Sequence, residues 1–135
     1  MKKHSAWLAA GLLVFVILAC NYSASVGGTD LHMAKDDGNG APGAETKTFS
    51  PSDHTIHCVA KLGEAKDGTK VTFSWWAVDT EGPKNEKLKD IDYTTKGAEN
   101  VIHAHLTKPD DWPKGKYKCV ANIGGAEKTV EYTVE

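Results

Sequence analysis

Residues 71–78 read Val71-Thr72-Phe73-Ser74-Trp75-Trp76-Ala77-Val78. Val71, Phe73, Trp75 and Ala77 fall on one face of this run and Trp76 on the other. That period of two belongs to a β-strand with one buried side. The pattern repeats on both sides of it. Upstream, Ile56, Cys58, Ala60 and Leu62 alternate with Thr55, His57, Val59 and Lys61. Downstream, Leu88 to Tyr93 is a charged and therefore edge-like strand, and Ile102, Ala104 and Leu106 share one face of the next. Tyr117 to Ile123 and Thr129 to Val134 follow, separated by Gly124-Gly125, and Thr48-Phe49 adds a short strand at the start. Lys66-Asp67-Gly68, Glu81-Gly82-Pro83 and Pro109 to Lys114 supply the breaks. About seven short strands with turn signals every ~8–12 residues, and no amphipathic helix, predict an all-β antiparallel sandwich over residues 48–135.

Cys58, Trp75 and Cys119 are spaced as in the immunoglobulin-like superfamily, which the chain resembles over residues 48–135. Gly115-Lys116-Tyr117-Lys118-Cys119 adds a Tyr two positions before the second Cys, the place of the tyrosine corner. Trp112-Pro113-Lys114-Gly115-Lys116-Tyr117 is similar to the Trp-Pro-x-Gly-x-Tyr corner of small bacterial envelope domains. The resemblance implies an immunoglobulin-like β-sandwich with a Cys58–Cys119 disulfide under Trp75, and a Tyr117 hydroxyl bonded to backbone upstream. Such a bridge would close a loop of about sixty residues, worth ~4 kcal/mol on the chain-entropy model. Trp76, next to core-facing Trp75, should point outward, where it is a candidate partner contact.

The N-terminus reads as an address. Lys2 and Lys3 precede an apolar run from Leu8 to Ala19, twelve residues long. That length suits a signal-peptide core and falls short of the ~20 residues of a spanning helix. Ile17-Leu18-Ala19-Cys20 resembles the lipobox of bacterial lipoproteins. The resemblance implies removal of residues 1–19, a lipid on Cys20, and anchoring to the membrane of a bacterial cell envelope. Asn21, in place of the Asp that retains many enterobacterial lipoproteins at the inner membrane, favours the outer membrane where there are two. Residues 20–47, rich in Gly, Ser, Ala, Asp and Asn, read as the lipidated Cys and a flexible tether.

Composition narrows the function. All sixteen basic residues are lysines, so the chain lacks the Arg favoured in phosphate and nucleic-acid recognition. Without residues 1–19 the charge is 14 − 18 = −4, which also argues against a nucleic-acid partner. The three cysteines divide as one for lipid and two for a bridge. No nucleophile elbow, phosphate loop, His-Glu-x-x-His or Cys-x-x-Cys occurs, and no cofactor is implied. Asp90 and Asp92 share a strand face and could hold a cation weakly.

The histidines are the one chemical constellation. His103 and His105 alternate with core-facing residues, and His57 does so on its own strand. In an immunoglobulin-like order these two strands are neighbours, so His57, His103 and His105 would share one solvent face. Three imidazoles across a ladder can bind Zn²⁺ or Cu²⁺. The pattern also fits a polar outer face that uses His, and the register of the two strands decides between them. The sequence therefore points to a non-catalytic envelope lipoprotein. Its domain would bind a protein or glycan partner or support envelope structure, with metal binding at the histidines as the alternative.

Overall fold

The alternation of residues 71–78 becomes the middle of a long strand, Lys70–Thr80, whose Val71, Phe73, Trp75 and Ala77 are all fully buried. It belongs to a computed structural model that describes residues 30–63, 66–97 and 99–135. The leader, Cys20 and Asn21 lie outside the described residues. Nine strands are present among them: β1 Asp30–Asp36, β2 Pro42–Glu45, β3 Thr48–Phe49, β4 Thr55–Lys61, β5 Lys70–Thr80, β6 Lys84–Thr94, β7 Val101–Thr107, β8 Gly115–Ile123 and β9 Ala126–Val134. There is no helix among the described residues.

The strands form two sheets, one ordered β2-β1-β4-β7 and the other β3-β9-β8-β5-β6. All pairings are antiparallel except β3 with β9. The fold is the antiparallel sandwich of immunoglobulin-like type expected from the sequence. The weakly apolar strand β6 lies at a sheet edge, as its charges suggested, since charged side chains discourage edge-to-edge pairing.

The inner faces of both sheets supply the core. Ile56, Cys58, Ala60, Ile102, Ala104 and Leu106 meet Val71, Phe73, Trp75, Ala77, Cys119 and Ala121. Each large apolar side chain so buried contributes roughly 1.5–3 kcal/mol. An aromatic group closes one end. Tyr117 stacks on Tyr132 with centroids 5.3 Å apart, while Trp112 meets Tyr117 edge-on at 6.1 Å and Phe49 meets Tyr132 edge-on at 5.5 Å. Two of its polar ends are tied to backbone, while the buried Tyr132 hydroxyl has no hydrogen-bond partner. Trp112 Nε1 donates to the Asp53 carbonyl at 2.9 Å, and the Tyr117 hydroxyl donates to the Pro113 carbonyl upstream.

Three expectations are corrected. Residues 30–45, read as tether, are strands β1 and β2, so the folded unit begins by Asp30 and holds nine strands rather than seven. β1 pairs with β4 over six positions and buries Met33 fully in the core. Its apolar content is too small to predict a strand in isolation; the open edge of β4 supplies the ladder that makes it one. Second, Cys58 and Cys119 are both buried free thiols in this structure, where the resemblance implied a disulfide. Third, His57 is on the outer face as expected, yet it is fully buried instead of solvent-facing. With β1 on one side and β7 on the other, β4 is an interior strand of its sheet.

Candidate metal centre

The register of β4 against β7 is the one the sequence left open. His57 lies directly opposite His105, and Val59 opposite His103. The His57 ring is 5.3 Å from that of His105 and 5.4 Å from that of His103, centroid to centroid. One ligand nitrogen from each of the three residues lies within 4.8 Å of the other two. A tetrahedral Zn²⁺ with bonds of ~2.0–2.1 Å needs nitrogens about 3.3 Å apart. His103 and His105 are exposed, so their side chains have room to close that gap, while His57 is held in place.

What holds His57 is a residue that periodicity and spacing did not single out. Asp36, at the end of β1, places Oδ1 at 2.7 Å from His57 Nε2. A carboxylate only accepts, so in the neutral ring the proton is on Nε2 and Nδ1 carries a free lone pair. That Nδ1 is buried and has no hydrogen-bond partner. A buried imidazole nitrogen without a partner is costly unless something else satisfies it. Asp36 opens Asp36-Asp37-Gly38-Asn39-Gly40, the turn between β1 and β2, whose polar, glycine-rich composition reads equally well as a linker. Gly38 at φ 93° and Gly40 at φ 89° adopt the left-handed backbone such a turn requires.

The surroundings of His103 suit neutral imidazole. Burial, and after it the neighbouring His57 and His105, hold His103 below the usual histidine range. Neutral imidazole is the form that binds metal. The hydrogen bond from His57 holds the Asp36 carboxyl below the ordinary carboxylate range, so it accepts as an anion. A carboxylate behind a ligating histidine is the usual second layer of a metal site.

The remaining candidates have other occupations. His54 Nε2 is 3.0 Å from Asp111 Oδ1, away from the cluster's register positions. Asp90 accepts from Ser74 and from Lys87, and Asp92 from Thr72, so both are engaged on their own sheet. Trp76 points outward and is half-buried, with the Lys87 and Lys118 ammonium groups 5.6 and 5.4 Å from its ring centroid. A cleft of about 390 Å³ lies on the same five-stranded sheet, lined by Lys47, Thr48, Val78, Lys116, Glu131 and Thr133 among others. It contains no histidine or cysteine.

No protein-family model matches the chain, and no curated protein matches it in sequence. Among solved structures, the chain is similar to an immunoglobulin-like protein from Pseudomonas aeruginosa, with a TM-score of 0.52 and 10% identity. The match covers 78% of this chain and 92% of that one. At that identity the likeness concerns the fold alone, and it agrees with the two-sheet architecture described above.

Proposed function

We propose that this protein is a non-catalytic, lipid-anchored domain of the bacterial envelope that binds a divalent late transition metal ion, Zn²⁺ or Cu²⁺, through His57, His103 and His105. One observation carries the metal reading. Three imidazoles converge on the outer face of one sheet, and the buried one offers an unpartnered nitrogen with its opposite nitrogen fixed by a carboxylate. An all-imidazole donor set suits Zn²⁺ and Cu²⁺, and the Irving–Williams order places Cu²⁺ ahead in affinity. Two of the three ligands are exposed, so solvent or another ligand can complete the coordination. That suits an ion acquired and released more than a closed structural site.

Titration of the purified protein with Zn²⁺ and Cu²⁺ by calorimetry tests this. One ion should bind per chain. The His103→Ala/His105→Ala variant, which alters only exposed side chains, should keep the fold and lose that saturable binding. Equal affinity in the variant and the wild type would end the metal reading.

The anchor rests on the lipobox resemblance at Cys20. A Cys20→Ser protein should lose the mass of its acyl chains and move from the membrane fraction to the soluble fraction. An unchanged mass and fractionation would remove the lipid from the proposal. A partner at the outward Trp76, of protein or glycan class, belongs to the same reading of an envelope binding domain.

A further inference from the structure

Asp36 does more than face His57. While Oδ1 lies against His57 Nε2, Oδ2 accepts from the backbone amides of Gly38 at 2.8 Å and Gly40 at 3.4 Å. One carboxylate therefore joins the candidate metal site to the turn of the β1–β2 hairpin. The rest of the turn is held by its own residues. Asp37 Oδ1 accepts from Asn39 and Ala41, and the Asp37 amide donates to the Ala41 carbonyl at 2.9 Å. β2 is an edge strand whose ladder runs only to β1, and the pairing is interrupted between Ala34 and Asp36. The Asp36–His57 contact thus ties the turn that leads into the edge strand β2 to the interior strand β4.

Resting on the metal reading above, we propose that Asp36 is a positioning residue through which metal occupancy and closure of the β1–β2 hairpin become one coupled equilibrium. The argument has two halves. With Oδ1 accepting the Nε2 proton, His57 is held as the tautomer whose Nδ1 lone pair is free for an ion. An ion on Nδ1 withdraws electron density from the ring and makes Nε2–H a stronger donor. The bond to Asp36 then tightens, and with it the turn that Asp36 caps. By linkage, the factor by which a closed hairpin raises metal affinity equals the factor by which metal favours the closed hairpin. The device is local: the ion sits on β4 and β7, yet the element it steadies is β1–β2, which contributes no ligand.

The test combines Zn²⁺ competition against a chromophoric chelator with amide hydrogen exchange on the full chain. In the wild type, Zn²⁺ should slow exchange at the Gly38 and Gly40 amides while leaving β8 and β9 unchanged. Asp36→Asn, nearly isosteric but uncharged, should bind Zn²⁺ about 10–100-fold more weakly. It should also lose the metal-dependent slowing at the hairpin, and Asp36→Glu should recover part of both. Wild-type affinity in Asp36→Asn overturns the proposal even if its hairpin exchanges faster, because Asp36 is then a turn cap alone. Persistent metal-dependent protection in that variant overturns it as well. Absence of Zn²⁺ binding by the wild type removes the metal reading itself, a result distinguishable from both.

Discussion

Replacing Gly115 with alanine should destabilise the domain by about 3 kcal/mol or more, the sum of a backbone cost and a packing cost of ~1–3 kcal/mol each. Gly115 sits at φ 145°, a conformation L side chains rarely adopt. A Cβ there would collide with the Asp79 carbonyl oxygen and with Thr80 Cα. Both obstacles are backbone, and both belong to β5, whose register with β8 is irregular at this point. The neighbouring contacts leave no slack: the Glu81 amide donates to the Lys114 carbonyl at 2.9 Å, and Tyr117 is tied back to Pro113. Relief would require β5 and β8 to separate beside Tyr117, which is 2% exposed. Thermal unfolding followed by circular dichroism should show a midpoint lowered on the order of 10–20 °C for a domain of this size. Gly68→Ala is the control. It has positive φ, and a Cβ added there would meet nothing within 4 Å, so only the backbone cost remains. Equal midpoints for the two variants would show that the contact with β5 does not matter.

Oxidative refolding should yield a Cys58–Cys119 disulfide form more stable than the dithiol form by ~4 kcal/mol, from a closed loop of about sixty residues. The two thiols are buried in one core cluster, beside Trp75, which pairs with Cys119 across β5 and β8. Burial, and then the adjacent Cys119, pushes the Cys58 thiol well above its ordinary range. Thiolate is the reactive form, so oxidants should act slowly on the folded dithiol and readily on the unfolded chain. In the envelope location proposed above, an oxidising compartment would meet the chain while it folds. Chemical denaturation with and without reductant measures the difference, and thiol alkylation of denatured protein reports the redox state. Two free thiols after oxidative refolding, or equal stability of the two forms, would defeat the expectation. A Cys58→Ala/Cys119→Ala protein, indifferent to reductant, separates loss of the bridge from other effects of the reducing agent.

Much of the sandwich was legible because burial in a strand leaves a period-two trace. Val71, Phe73, Trp75 and Ala77 announced β5, and Ile102, Ala104 and Leu106 announced β7. The same alternation placed His57, His103 and His105 on the outer face, and the immunoglobulin-like resemblance made their strands neighbours. Whether the three converge needed a register, and the β4–β7 ladder provides it by setting His57 against His105. The hairpin β1–β2 left almost no trace. Of its apolar residues Met33 and the small Ala34 are fully buried and Leu31 only partly so, and its turn is polar and glycine-rich, a composition shared with linkers.

By itself, then, the sequence determined the class of fold, the inward and outward faces of its main strands, and a histidine-bearing outer surface. These are local consequences of side-chain alternation and hydrophobicity, whereas the meeting of Cys58 and Cys119 in one core was implied only by the immunoglobulin-like resemblance. Only the tertiary structure decided that residues 30–45 join the sheet, that His57 is buried at its centre, and that Asp36 stands behind it. Those features depend on which edges meet. A strand with few apolar residues is marginal alone and becomes stable when a partner satisfies its backbone hydrogen bonds and covers its one or two large side chains. No short window of sequence contains both Asp36 and His57, which lie twenty-one positions apart and meet only through the β1–β4 ladder.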